Sequence, residues 1–117
     1  YYKQMKAVKM LEKIAKESDK YGGKTPEETV RLFTEAIKKG DFELASKYFV
    51  IDNQNIWKKE LIDIQQQGLI NNFIEPLQVA KSSEIDYSEN KHTASIHDPV
   101  LVSFMKYPNN VWKIIKI

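Results

Sequence analysis

The chain has 117 residues, the size of one ordinary domain, and it contains no Cys, which excludes disulfides and thiolate chemistry. Hydrophobic residues make up 42% and charged residues 29%, so the composition is that of a folding chain rather than a disordered one, and no apolar run approaches the ~18 residues of a membrane span. Net charge is only +2, too little to imply nucleic acid, but it is uneven: residues 1–24 carry seven Lys against three acids, whereas the remainder is mildly acidic. Residues 2–19 read as an amphipathic helix with Met5, Val8, Leu11 and Ile14 along one face, flanked by Ala7 and Ala15. Its lysines alternate with acids. A solvated face packed on its own domain therefore fits better than a membrane-surface or nucleic-acid contact. Tyr21-Gly22-Gly23 is expected to end this helix and act as a short hinge. We accordingly divide the chain into a leading helix with its hinge, residues 1–24, and a domain over residues 25–117. The chain opens on Tyr1 rather than Met, and we expect a tag, signal or anchor to have been removed upstream.

Local signals are strongest over Thr25–Phe49. Thr25 can cap a helix, Pro26 suits its first position, and Glu28 three residues on completes a capping box. Val30, Phe33 and Ile37 recur at helical spacing, widened by Leu32 and Ala36. Gly40 supplies a left-handed stop after Lys38 and Lys39, and Asp41 caps a second helix carrying Phe42, Leu44, Ala45, Tyr48 and Phe49. A third helix follows Asp52-Asn53, with Trp57, Leu61 and Ile64 on one face and Gly68 as its stop. Residues 69–80 support either a short helix limited by Pro76 or a strand.

Beyond Lys81 the pattern becomes β. Glu84–Ser88 is short, Glu89-Asn90-Lys91 is a turn, and His92–His97 alternates with Ala94 and Ile96 on one side. Val100–Tyr107 is the strongest strand, with Val100, Val102 and Phe104 alternating with Leu101, Ser103 and Met105; Pro108-Asn109-Asn110 is a hairpin loop and Val111–Ile117 the closing strand. Helices first and hairpin-linked strands afterwards define an α+β class, with helices packed on one face of an antiparallel sheet.

Thr25-Pro26-Glu27-Glu28, Phe33, Ala36, the Lys39-Gly40-Asp41 turn, Ala45 and Tyr48 open the likeness, and Asn109-Asn110-Val111-Trp112-Lys113-Ile114 closes it. Over residues 25–117 the chain resembles the NTF2-like (cystatin-like α+β cone) superfamily, nearest the DUF4878-type bacterial lipoprotein domains. The resemblance implies a curved antiparallel sheet wrapped against helices around a cone-shaped pocket, with the leading helix an addition. It also implies an exported domain with a membrane tether upstream of Tyr1, the alternative being a cytoplasmic one, and homodimers paired through the sheet. Lysines just outside an anchor run against the positive-inside rule.

Pocket enzymes of that superfamily move protons with Asp, His and Tyr. The candidates here are Asp86, Tyr87, His97, Asp98 and Tyr107, with His92 in the strand half and Asp63 on the third helix. A carboxylate in an apolar pocket has a raised pKa and can serve as base, with Tyr as donor. None of these aligns with a family catalytic pattern, and acids and aromatics are common in strands without catalysis. His92 and His97, five apart, fall on opposite faces of a regular strand, so a shared metal is not expected. Phe33, Trp57, Leu61, Phe104 and Trp112 are the candidates to line a pocket, and Trp57 and Trp112 read more readily as core. No phosphate loop, nucleophile elbow or paired-carboxylate motif is present in the sequence, so no cofactor is expected. Three readings stand: a non-enzymatic accessory domain binding a protein partner or a small apolar ligand, an acid–base enzyme of isomerase or dehydratase type, and a structural module that pairs sheet to sheet as a homodimer.

Overall fold

A computed structural model of the chain describes residues 14–80 and 85–117. Residues 14–18 are helical (α1), and most of the helix expected over residues 2–19 lies outside the described residues, as does Glu84. α2 (Pro26–Lys38), α3 (Phe42–Ser46), α4 (Gln54–Gln66) and α5 (Ile70–Ala80) follow, with one 3-10 turn at Ile51–Asn53. Four strands complete the chain: β1 (Asp86–Tyr87), β2 (Thr93–Ile96), β3 (Val102–Lys106) and β4 (Trp112–Lys116). They form an open antiparallel sheet in the order β1-β2-β3-β4. The fold is α+β.

The local chemistry explains the helix boundaries. The Thr25 hydroxyl accepts from Glu28 N at 3.1 Å, and Asp41 accepts from Leu44 N at 3.0 Å, so both helix starts have their side-chain caps. Gly40 has φ +77° and lets Asp41 N donate back to Ala36 O at 3.0 Å; Gly68, at φ +73°, does the same for Leu69 N and Ile64 O. The ambiguous residues 69–80 resolve as helix α5 with Pro76 inside it. Pro76 cannot donate to Asn72 O, but Asn72 is exposed and water can meet that carbonyl. Ile74 and Leu77 are buried one helical step apart, a spacing that a strand would split between two faces.

Alternation sets the two sheet faces. Ala94, Ile96, Val102, Phe104, Trp112 and Ile114 face the helices and are buried with Val30, Phe33, Phe49, Leu61 and Leu77. Asp86, Ser95, Met105 and Lys113 belong to the opposite, outer face. β4 is not a free edge. Trp112 N donates to Gly23 O at 2.9 Å, Ile114 N to Tyr48 O at 2.9 Å, and Val50 N to Ile114 O at 2.8 Å.

Gly22-Gly23, expected as a hinge, is instead bonded to β4 through the Gly23–Trp112 bridge. Here Gly is needed for close approach. A Cβ on Gly22 would drive into the Trp112 carbonyl, and one on Gly23 would sit 2.5 Å from Glu28 Cβ. Gly22→Ala is therefore expected to lose about 1–3 kcal/mol by overpacking against backbone. Gly40→Ala meets open space and carries only the left-handed backbone cost, about 1–2 kcal/mol. Urea melts of both variants check the order.

Candidate functional site

The five residues considered as pocket lining come together, but as core. Phe33, Leu61 and Phe104 are fully buried and Trp112 nearly so. Phe33 meets Phe49 edge-on with centroids 5.3 Å apart, and Trp57, half-buried, stacks on Phe49 at 4.8 Å. These contacts satisfy aromatic geometry within the fold itself.

The acid–base candidates are dispersed. His97 Nε2 lies 3.4 Å from Asp86 Oδ2 across β1 and β2, with the two side chains 62% and 74% exposed. Ser95 Oγ is 3.0 Å from the same nitrogen. Hydroxyl and carboxylate thus compete for one ring nitrogen, whereas a relay needs them on opposite nitrogens. Asp98 sits in the exposed loop before a cis Asp98–Pro99 bond, and His92 is exposed at the start of β2. Tyr87 lies on the helix-facing side of edge strand β1, edge-on to Trp112 at 5.8 Å. Asp63 is exposed on α4 and accepts from Gln67 Nε2 at 3.0 Å. Among the described residues no group of three His, Asp or Glu could hold a metal ion.

Tyr107 is buried, and its hydroxyl accepts the Ile51 N–H at 2.9 Å. Burial pushes this phenol above the ordinary tyrosine value, Ile51 N–H opposes the shift, and Asp19 and Asp52 add to it. Burial likewise raises Tyr48, with Glu35, Tyr21 and Asp41 contributing. Above about pH 10 the unfolded tyrosines ionise while the folded ones hold their protons, so the unfolded state binds fewer protons and stability falls with pH. Tyr107→Phe is expected to lose about 0.5–1.5 kcal/mol at neutral pH through the lost acceptor, and to flatten that high-pH decline. Paired urea melts at neutral pH and near pH 10.5 check both.

The polar centre of the structure is one that sequence reasoning missed. Lys113 is 0% exposed, on the outer face of β4. Its Nζ pairs with Asp19 Oδ2 at 3.0 Å, donates to Tyr21 O at 2.6 Å and also donates to Lys47 O. Asn109 Nδ2 holds the Asp19 carbonyl, and buried Thr29 accepts from Gly23 N at 3.0 Å while donating to Trp112 O at 2.9 Å. Residues 19–23 thus form a strap tied to β4 by polar bonds, with Tyr21 also packed edge-on against Tyr48. Burial lowers the Lys113 pKa, against the opposing pull of Asp19. The only sequence signal was a lysine between Trp112 and Ile114. The register places it on the outer face, and nothing local reveals that a segment ninety residues earlier covers that face.

Beside this strap lies an open groove of about 440 Å³ where β3 enters its turn, bordered by Lys16, His92, Lys106, Asn110 and the apolar Met105, Tyr107 and Pro108. Its volume is within the usual range of ligand sites. No protein-family model, curated protein or solved structure matches this chain.

Proposed function

We propose that this chain is a non-enzymatic binding domain that engages a protein partner through the outer sheet face and the sheet end beside it. The observation that carries the reading is the division of residues between the two faces. The helix-facing side is occupied by mutually packed Phe33, Phe49, Leu61, Phe104 and Ile114, while the outer face leaves Thr93, Asp86 and His97 exposed. A general base works in a desolvated pocket within reach of its substrate. The exposed Asp86–His97 pair offers no such enclosure, and the Tyr107 hydroxyl is already engaged by Ile51 N.

The proposal includes the resemblance. In it the helices and sheet are an NTF2-like frame of the DUF4878 type, carried outside the cytoplasm on a tether upstream of Tyr1. Among the described residues no helix is long and apolar enough to cross a membrane. Pairing of two sheets as a homodimer is the competing use of the same face.

Site-specific photo-crosslinking tests the reading. A crosslinker replacing exposed Thr93 on the outer face should join a distinct protein, and one replacing exposed Lys59 on α4 should not. Crosslinking only to a second copy of the chain would favour the homodimer. Equal adducts from both positions would overturn the proposed face.

A further inference from the structure

The groove at the end of the sheet has a consistent charge. Three of its bordering residues, Lys16, His92 and Lys106, are basic, and none is acidic. The chain has 16 Asp and Glu, yet among the described residues neither Lys16 nor Lys106 meets a carboxylate. Their ammonium groups lie near rings instead, Lys16 at 5.8 Å from the Tyr107 centroid and Lys106 at 5.9 Å from the Trp112 centroid. Cations that pair with no carboxylate among the described residues, set beside apolar surface, favour an anionic partner with an apolar portion.

The groove is also held in shape. Lys16 stands three residues before Asp19, whose carboxylate is locked to buried Lys113 and whose N–H reaches Lys16 O. Tyr107 is fixed at its hydroxyl by Ile51 N, and the turn closes through Tyr107 N to Val111 O at 2.8 Å. A groove with pinned walls binds without first having to order them.

We propose that this groove receives an acidic segment of the protein partner, with carboxylates directed to Lys16 and Lys106 and an apolar side chain laid on Met105 and Pro108. The inference rests on the binding-domain reading and names the chemistry of its partner. A docked segment of this kind should be weakened by salt, because its charges meet at a solvated rim.

The test is an amide chemical-shift titration of the full chain with a six-residue peptide of alternating Glu and Leu. A peptide of alternating Gln and Leu is the control. We expect saturable shifts over residues 105–110 with the Glu peptide, and about fivefold to tenfold weaker binding in a Lys16→Gln, Lys106→Gln double variant. Should that variant lose stability, the wild type decides: affinity should fall steeply between about 0.05 M and about 0.5 M salt. Equal binding of both peptides, shifts confined to the helices, or no shifts at all would overturn the inference. The parent reading fails separately. If crosslinking from Thr93 occurs but the wild type shows no salt-sensitive shifts with the Glu peptide, the face stands and the acidic segment falls; if crosslinking never occurs, the face falls.

Discussion

Phe33→Ala is expected to lose about 3–5 kcal/mol of unfolding free energy, because it removes a fully buried ring from the point where helices and sheet meet. Phe33 contacts Phe49 at 5.3 Å and Phe73 at 6.4 Å, both edge-on, so truncation leaves two aromatic partners facing a void. Those partners belong to the segment that bridges β4 and to α5, which limits how far the site can collapse. Urea melting measures the effect. A loss below about 1 kcal/mol would remove α2 from the core and undo the layer arrangement.

Asp19→Ala should cost a comparable amount, about 3–5 kcal/mol, by leaving the buried Lys113 ammonium without its counter-charge. The two carbonyls that remain, of Tyr21 and Lys47, accept hydrogen bonds but supply no full negative charge. The pH dependence gives this prediction its signature. Burial lowers the Lys113 pKa in the fold, so between that lowered value and 10.5 the unfolded state binds the extra proton. Its contribution to stability therefore rises with pH in that window and is lost as pH falls. Removing Asp19 takes away the pull opposing the shift and widens the window. The penalty of Asp19→Ala should shrink from neutral pH towards about pH 10, where neutral Lys113 needs no partner. A constant penalty across that range would mean that Asp19 acts through packing alone. Lys113→Met combined with Asp19→Leu should cost less than either single change, since no lone charge is left buried.

What could be read in the sequence was what short-range chemistry decides. Thr25, Gly40, Asp41 and Gly68 fix helix ends through bonds spanning a few residues, and those ends appear in the structure. Ala94 with Ile96, and Val102 with Phe104, show their faces by period two alone. The errors lie where distant segments meet. Gly22-Gly23 carries the local marks of a hinge, but its conformation is set by Trp112 and Glu28, which demand the missing Cβ. Helical spacing puts Ile14 on a packed face, yet it is 58% exposed. Met5, Val8 and Leu11 lie outside the described residues, and the strap is held through Asp19 and Gly23, with Tyr21 packed against the core. Residues 69–80 had an apolar pattern compatible with either structure, and packing of Ile74 and Leu77 into the core decided for helix. For the site, the same rule holds. Asp86 and His97 do meet, which the β1–β2 register explains, but sequence could not show that they meet in solvent.

The central claim is that the space between helices and sheet is a packed core, so that binding belongs to the outer face. Thermal melting with neutral apolar probes, benzene and decanol, tests it most directly. A ligand that fits the folded interior raises the midpoint progressively with concentration. The wild type should show no rise, whereas Phe33→Ala, with a new dry cavity lined by Phe49 and Phe73, should gain one with benzene. A concentration-dependent rise in the wild type would contradict the account and return the ligand, and with it the acid–base reading, to the interior.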